Sequence, residues 1–332
     1  MRKWIWIPVV LLLAFITWVV AVRAGLFAAD PVAAEARYGG PPSKFMLVDG
    51  TRLHYRDEGQ GPVLVMLHGS RASLHQWDGW VRELGGRFRT IRVDGFAHGL
   101  TGRDGRDDYS AERQLLLLDT LLDRLGVQQF IIAGTSSGAT EAVRYAALHP
   151  ERVQKLLLST IPLRLPTRPR TRPLDAAVFW LHDKVLDSYD TDLFWRTFLR
   201  SIYADPDRVT PELVTRYRML NTVPGQQQRF EARLASWRRK GGPERDFALA
   251  GQIRVPVLIQ WGAAGPVLPS ELHCTIAAAF TGTRVQVISY PDLGHKLVLE
   301  DPARTARDAL RFIDGEAVGR SCAAPASGVN TP

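Results

Sequence analysis

The chain alternates short apolar runs with longer segments of helical periodicity over most of its length. The apolar runs predict strands at residues 45–48, 53–55, 63–67, 90–93, 130–133, 153–158, 255–260 and 285–289. The first two are joined at Asp49-Gly50, a dipeptide typical of tight hairpins. Helical patterns lie between most of the later runs, and one at residues 302–312 follows the last. This alternation indicates an α/β fold with a doubly wound, mostly parallel sheet.

The alternation stops between residues 162 and 252. This stretch begins with prolines and arginines and continues with helical patterns at 179–185, 194–203, 211–220 and 230–239 that are rich in aromatic residues and arginine. An insertion of this length between two sheet strands predicts a helical cap over the strand ends, with 44–161 and 253–314 as the core. We expect the cap aromatics to line an apolar pocket. An unrelated second domain is the alternative.

The N-terminal pattern differs from the rest, since residues 4–22 are apolar and uncharged and follow Arg2 and Lys3. About 19 residues at 1.5 Å each span roughly 29 Å, the thickness of a hydrocarbon core. We therefore expect residues 1–23 to form a membrane anchor, with a cleaved signal peptide and a secreted protein as the alternative. Arg2 and Lys3 favour a cytoplasmic N-terminus and a globular domain on the outer, periplasmic or extracellular side. Arg23 and Arg37 reduce this charge asymmetry.

Two further segments carry no core pattern. Residues 24–43 are rich in Ala, Gly and Pro, which predicts a linker, and residues 315–332 are small and polar, which predicts a disordered tail. Cys274 and Cys322 lack metal-ligand spacing, so no metal site is expected. Because Cys322 lies in that tail, we do not expect the two cysteines to form a disulfide.

The composition narrows the function classes. The 332 residues are 45% hydrophobic and 23% charged, as in an ordinary globular enzyme. The net charge of +8 is not accompanied by a phosphate-binding loop, zinc-finger spacing or an aromatic-basic motif. We therefore expect neither a cofactor nor a nucleic-acid partner, and assign the charge first to solvated surface and then to contact with anionic lipid.

The segment Gly134-Thr135-Ser136-Ser137-Gly138 carries the strongest chemical signal. It follows an apolar strand and precedes a helix, and Gly-x-Ser-x-Gly in this setting is typical of a nucleophile elbow. The sharp turn exposes the hydroxyl of Ser136 above the sheet. The N–H group of Ser137 lies at a helix N-terminus, where donors and dipole stabilise a developing oxyanion.

A serine nucleophile needs a base and a second oxyanion donor. His295 follows the last strand and precedes the final helix, so it lies at the same sheet edge as Ser136 and is our candidate general base. His68-Gly69-Ser70 ends the first buried strand. We expect the Ser70 N–H to be the second oxyanion donor and His68 to support that loop.

The chain resembles the α/β-hydrolase superfamily over about residues 45–312, and within it the capped branch of serine esterases, lipases and carbon–carbon bond hydrolases. The matching segments are His68-Gly69, the glycine-rich stretch 94–102, the Ser136 elbow, His149-Pro150-Glu151-Arg152-Val153, Trp261-Gly262 and Gly294-His295 with Glu300 and Pro302. The resemblance implies that Ser136 is the nucleophile, His295 the base and Ser70 an oxyanion donor. Serine rather than aspartate at the elbow argues against an epoxide hydrolase or a dehalogenase.

One position departs from the family pattern. The triad acid usually follows the strand after the cap, but this turn reads Trp261-Gly262-Ala263-Ala264-Gly265, with glycine where the carboxylate is expected. The stretch 158–161 after the preceding strand has no acid either. Asp292 is too close to His295 in sequence to reach its far nitrogen, and Glu300 is expected to cap a helix. The triad acid is therefore unknown.

The sequence predicts a membrane-anchored serine hydrolase that cleaves a small to medium apolar ester with a Ser136–His295 dyad. Two alternatives stay open. A catalytically impaired binding protein is suggested by Gly265, and a carbon–carbon bond hydrolase is allowed by the arginines of the cap. If Gly265→Asp raised turnover, that result would favour an enzyme over a binding protein.

Overall fold

In the computed structural model, which describes residues 6–163, 172–265, 267–319 and 322, an eight-stranded sheet forms the centre of the molecule. Its strands are β1 (Ser43–Val48), β2 (Thr51–Glu58), β3 (Val63–Leu67), β4 (Arg89–Val93), β5 (Phe130–Thr135), β6 (Val153–Ser159), β7 (Val257–Gly262) and β8 (Val285–Tyr290). The spatial order is β1-β2-β4-β3-β5-β6-β7-β8. β2 is antiparallel to both neighbours and the other pairs are parallel. The predicted doubly wound α/β fold is confirmed.

The described part of the chain also contains α1 (Trp6–Arg23), α2 (Pro31–Tyr38), α3 (Asp78–Glu83), α4 (Ala111–Arg124), α5 (Ser137–Leu148), α6 (Pro173–Leu181), α7 (Asp192–Ile202), α8 (Pro211–Met219), α9 (Gln226–Arg239), α10 (Gly242–Ala250), α11 (Leu272–Ala277), α12 (Leu297–Glu300) and α13 (Pro302–Ile313). A π-helical turn, His182–Leu186, extends α6. α10 is absent from the sequence prediction because it begins at Gly242-Pro243, residues that sequence patterns assign to turns.

The sheet is covered on both faces, which explains why β5 is a continuous apolar run. Ile132 packs on the side of α4 and α5, whereas Ile131 and Ala133 pack on the side of α3 and α13. Helices α6–α10 lie between β6 and β7, in the segment for which we expect a cap, and we call them the cap. A third cluster within it joins α7 and α8 around Phe194, Trp195 and Tyr217. The segments that follow β3, β5 and β8 leave the sheet at its carboxyl edge, beneath the cap.

The segment predicted as a linker contains a docked helix. Asp30 caps α2 by accepting a hydrogen bond from the Val32 amide at 2.9 Å, and Pro31 occupies its first turn. Ala34 and Tyr38 are buried, and Arg52 forms two hydrogen bonds to Glu35 at 2.7 and 2.8 Å. The chain between α1 and the sheet is therefore held against the domain.

The expectation about the cysteines was wrong, because Cys274 and Cys322 form a disulfide. The chain before Cys322 also packs on the sheet, since the Val318 amide donates to Gln286 Oε1 at 2.8 Å. The Cys322 side chain contacts the apolar cluster that contains α11. The other predicted tail residues, 320–321 and 323–332, lie outside the described residues. His273 is close to both sulfur atoms, but disulfide sulfurs are not thiolate metal ligands.

Candidate active site

Ser136 lies at a strained turn between β5 and α5. Its backbone has φ 53° and ψ −124°, a conformation that L-residues rarely adopt. A Cβ atom at Gly134 would lie 2.4 Å from the carbonyl oxygen of Gly138, and one at Gly138 would lie 2.3 Å from that of Leu67. Both glycines are therefore required by close backbone contact, and the turn has the geometry of a nucleophile elbow.

His295 lies opposite this turn, with its Nε2 atom 3.1 Å from Ser136 Oγ. Its backbone is held from two sides: its N–H donates to the Ile202 carbonyl at 2.9 Å, and Thr160 Oγ1 donates to its carbonyl at 3.1 Å. Ile202 belongs to α7, so the position of the imidazole depends on the cap as well as on the core.

Glu300 supports the same loop, although the sequence pointed to a capping role. Its carboxylate accepts hydrogen bonds from the amides of Gly294, Lys296 and Ala204 at 3.1, 3.2 and 2.9 Å. The cap of α13 is instead Asp301, which accepts from the Arg304 amide. Glu300 therefore joins the His295 loop to the cap. The only sequence signal for this contact is the short separation of Glu300 from His295.

The two predicted oxyanion donors lie on adjacent elements. Ser70 Oγ donates to Ser137 Oγ at 2.9 Å, which joins the loop after β3 to the start of α5. Within the described chain, neither the Ser70 nor the Ser137 amide has an acceptor. His68 supports the loop, since it accepts a hydrogen bond from the Gly95 amide at Nε2 and donates to the Gly69 carbonyl from Nδ1. Two free amides are thus available beside Ser136.

Among the described residues, no carboxylate forms a hydrogen bond or ion pair with the far side of His295. Among the residues that the structure describes, Nδ1 is buried without a hydrogen-bond partner. Asp292 pairs with Arg304 at 2.9 Å on the surface. Burial, followed by the charge of neighbouring Lys296, lowers the pKa of His295 to about 3. The imidazole is therefore neutral at ordinary pH, as a base requires, but its protonated form is poorly stabilised.

Lys296 is a feature that sequence reasoning missed. Its side chain is buried, and its Nζ lies 5.7 Å from the Tyr217 ring centroid. No acidic partner for it is found in the described ranges of the chain. Burial lowers the pKa of Lys296 to about 8. A cation thus stands beside the histidine whose protonated form a triad acid normally stabilises.

A cavity of about 200 Å³ lies over Ser136 and His295. It is lined by Ser70, Ala111, Ser136, Ser137, Thr140, Arg144, Pro162, Arg233, Leu234, Trp237, Val267, Leu268 and His295. Among the described cap residues, Trp237 is the single aromatic in this lining. Of the cap aromatics that we expect to line the pocket, Trp237 does so, whereas most of the others pack against one another.

Both arginines of the cavity are neutralised by acids. Arg144 forms a buried pair with Asp246 at 2.5 Å, and the indole N–H of Trp237 donates to the same carboxylate. Arg233 pairs with Glu141. Since these charges are satisfied within the protein, the cavity is better suited to an apolar group than to an anion.

Arg71 connects the oxyanion loop with the cap. Its backbone has φ 57°, and its guanidinium carbon lies 4.3 Å from the Tyr189 ring centroid and 4.6 Å from that of Phe230. Asn221 of the cap donates to the Arg71 carbonyl at 3.0 Å. The residue after the proposed oxyanion donor Ser70 is thus enclosed by cap side chains.

The chain belongs to the alpha/beta hydrolase fold family, whose model matches residues 62–302. It is 26% identical over 277 residues to the cis-3-alkyl-4-alkyloxetan-2-one decarboxylase of Shewanella oneidensis, covering 77% of this chain and 83% of that protein. It is 26% identical over 283 residues to the 2-hydroxymuconate semialdehyde hydrolase of a Pseudomonas strain, covering 82% and 95%. Fold and relatives together support a hydrolase.

A solved structure described as a membrane phospholipase A, a bacterial virulence factor, is similar along nearly the whole chain. The TM-score is 0.68 at 23% identity, covering 95% of this chain and 99% of the other. At this identity the likeness shows the fold alone. In this chain α1 is the one described helix that is long and apolar enough to cross a membrane, with a mean hydropathy of 2.2.

Proposed function

We propose that this chain is a serine hydrolase, anchored in a membrane by α1, that cleaves a small to medium apolar carboxylic ester through an acyl-enzyme. The observation that carries the proposal is the 3.1 Å contact between His295 Nε2 and Ser136 Oγ at the base of the cavity. Nucleophile and base at this distance can exchange a proton directly.

The reaction uses four groups of the site. Ser136 Oγ attacks the ester carbonyl carbon while its proton passes to His295 Nε2, and the resulting oxyanion accepts hydrogen bonds from the amides of Ser70 and Ser137. The carbon–oxygen bond to the alcohol then breaks, and His295 returns the proton to the leaving oxygen. A water molecule, deprotonated by His295, hydrolyses the acyl group from Ser136 in the same way.

We expect this turnover to be slow. Replacing the acid of a serine protease triad by an amide lowers turnover roughly 10⁴-fold, in part because the wrong histidine tautomer is held. Here Nδ1 is unpartnered within the described residues, and Lys296 disfavours the protonated imidazole. The dyad therefore works without the stabilisation that a carboxylate supplies.

An apolar ester is favoured over the dienoate-type acid of a carbon–carbon bond hydrolase. That reaction requires a cavity that accepts a carboxylate, whereas Arg144 and Arg233 are already paired with Asp246 and Glu141. Among the described lining residues outside the proposed catalytic groups and the two arginines, all but Thr140 are apolar. Membrane lipid is the expected neighbour of α1, and an ester-like small molecule is the expected substrate.

The disulfide supports a location on the outer side of the membrane. Disulfides persist in oxidising compartments such as the periplasm and the extracellular space. The pair Cys274–Cys322 joins residues 48 positions apart in the globular domain. Together with Arg2 and Lys3 before the apolar run, it favours a cytoplasmic N-terminus and an external domain.

A fluorophosphonate probe tests the nucleophile. The wild type and Ser201→Ala, which removes a serine hydroxyl on α7, should both be labelled, whereas Ser136→Ala should not be. Labelling is read by intact-protein mass spectrometry on the folded full-length chain. Equal labelling of wild type and Ser136→Ala would contradict the assignment.

A binding protein that has lost hydrolysis is the second candidate. It is favoured by the Nδ1 atom of His295, which is buried and has no hydrogen-bond partner among the described residues, and by the glycine at position 265. Rapid mixing with an activated nitrophenyl ester separates the two: an enzyme releases a burst of about one equivalent of nitrophenol as the acyl-enzyme forms. Absence of both burst and turnover would favour the binding protein.

A further inference from the structure

Helix α6 presents apolar side chains to solvent rather than to the protein. Leu174 is 83% exposed and Trp180 is 61% exposed, and Ala177 lies between them at helical spacing. We call these three residues the α6 face. None of the nine residues of α6 is buried, and Asp175 is its only charged residue. An exposed apolar face of this kind marks an interaction surface.

The other side of α6 has its partner within the cap. Phe179 packs with the cluster that contains Phe194 and Trp195, and its ring centroid lies 6.0 Å from that of Phe194. Since Phe179 already anchors α6 to the domain, the α6 face is not needed for folding.

The end of α1 lies against the same part of the cap. Arg23 at the end of α1 donates to the Val185 carbonyl at 3.3 Å and lies 3.7 Å from Asp187. Val22 is completely buried. The π-helical turn that contains Val185 continues directly from α6. The end of the apolar span therefore contacts the turn that directly follows the helix carrying the α6 face.

This contact limits where the α6 face can lie relative to a bilayer. If α1 spans the hydrocarbon, its last turn is at the membrane surface, and the π-helical turn that it contacts, at the end of α6, is at the same level. Trp180 is of the residue type enriched at membrane interfaces. Exposed Arg172 and Lys184 flank the helix and suit anionic headgroups, while exposed Asp183 and Asp187 reduce this charge.

We propose that the α6 face lies in the interfacial layer of the same bilayer that α1 crosses, so that the cap is a second point of membrane contact. The inference rests on the proposed anchoring by α1. The occupant is a lipid surface, because the end of α1 contacts, through Arg23 and Val185, the π-helical turn that follows α6. An interfacial helix of this kind buries its apolar side about 5–10 Å into the boundary of headgroups and acyl chains.

Site-specific fluorescence in liposomes tests the proposal on the full-length protein. The native cysteines are paired, so a single introduced cysteine can be labelled with the environment-sensitive dye NBD. The test variant is Leu174→Cys. Val10→Cys in α1 is the control for the span, and Leu148→Cys, 58% exposed at the end of α5, is the matched control on the core. Quenching by lipids with a nitroxide near the headgroup or at mid-chain is compared in phosphatidylcholine–phosphatidylglycerol vesicles.

We expect a blue-shifted NBD emission and quenching by the shallow nitroxide at position 174, quenching by the mid-chain nitroxide at position 10, and neither at position 148. If position 10 is quenched and position 174 behaves like position 148, the anchor stands and the α6 proposal is overturned. If position 10 is not quenched, α1 does not cross the membrane, and both proposals fail.

Discussion

Gly265 occupies the position where the family places its acid, and its surroundings explain the glycine. A Cβ atom there would lie 2.9 Å from the backbone nitrogen of His295 and 3.2 Å from the Cα of Gly294. These neighbours are backbone atoms and cannot move aside as a flexible side chain can. The path of the backbone therefore leaves too little room for a side chain at position 265. A single substitution there does not supply the missing carboxylate.

We predict that Gly265→Asp lowers the free energy of unfolding by about 1–3 kcal/mol, as overpacking does, and does not raise turnover. Urea denaturation and burst kinetics measure the two effects. Ala264→Asp, at an exposed neighbouring position, is the control and should unfold like the wild type. Faster turnover in Gly265→Asp would mean that the loop can open toward Nδ1. Since we expect no gain in turnover even if the chain is an enzyme, this variant does not distinguish an enzyme from a binding protein.

Among the elements, the loop that carries His295 and the C-terminal segment are both fastened by distant parts of the chain. The loop is joined to the cap through the Ile202 carbonyl and through Glu300. The segment after α13 is fastened to α11 by the Cys274–Cys322 disulfide. The hydrogen bonds act in the folded state alone, whereas the disulfide also reduces the freedom of the unfolded chain.

We expect Cys322→Ser to lower the free energy of unfolding by about 2–4 kcal/mol, the usual effect of losing a disulfide that closes a loop of this length. Urea denaturation of wild type, reduced wild type and the variant measures it; reduction should weaken the wild type and leave the variant unchanged. Alkylation of the denatured, unreduced wild type should label no cysteine. Labelling of both cysteines would contradict the disulfide and remove its support for an external domain.

For the whole molecule, buried histidines couple stability to pH. Burial lowers the pKa of His75 to about 4 and that of His295 to about 3, and it lowers those of His68 and His98 as well. In the unfolded chain these groups titrate near pH 6.5. Below that pH the unfolded state binds more protons than the folded state, so acidification favours unfolding.

The predicted result is that His75 and His295 cause no loss of stability above about pH 6.5, and that stability falls as the pH decreases from there to about 4 for His75 and about 3 for His295. Each of His75 and His295 contributes a slope of up to about 1.4 kcal/mol per pH unit. Urea midpoints between neutral and acidic pH measure the slope. His75→Gln should reduce it, because glutamine can keep the contacts to Ser73 and Arg56 without titrating. A midpoint that is constant across this range would contradict the prediction.

Local patterns in the sequence predicted much of the fold. The Asp49-Gly50 hairpin and the buried strands depend on short-range periodicity and turn chemistry, and the structure has them. The contact of Glu300 with the Ala204 amide and the disulfide of Cys322 were missed, because both join residues far apart in the chain. The segment before β1 was assigned as a linker from its Ala, Gly and Pro content, yet Asp30 caps a helix there.

For the candidate site, the sequence by itself determined the elbow at Ser136, the pairing expected with His295 and the glycine at position 265. These follow from backbone requirements and from the ends of parallel strands meeting at one edge. Only the tertiary structure decided which charges are paired, how Lys296 faces the histidine and where the α6 face lies. Pairing and burial depend on which surfaces meet in three dimensions, and one-dimensional spacing does not contain that information.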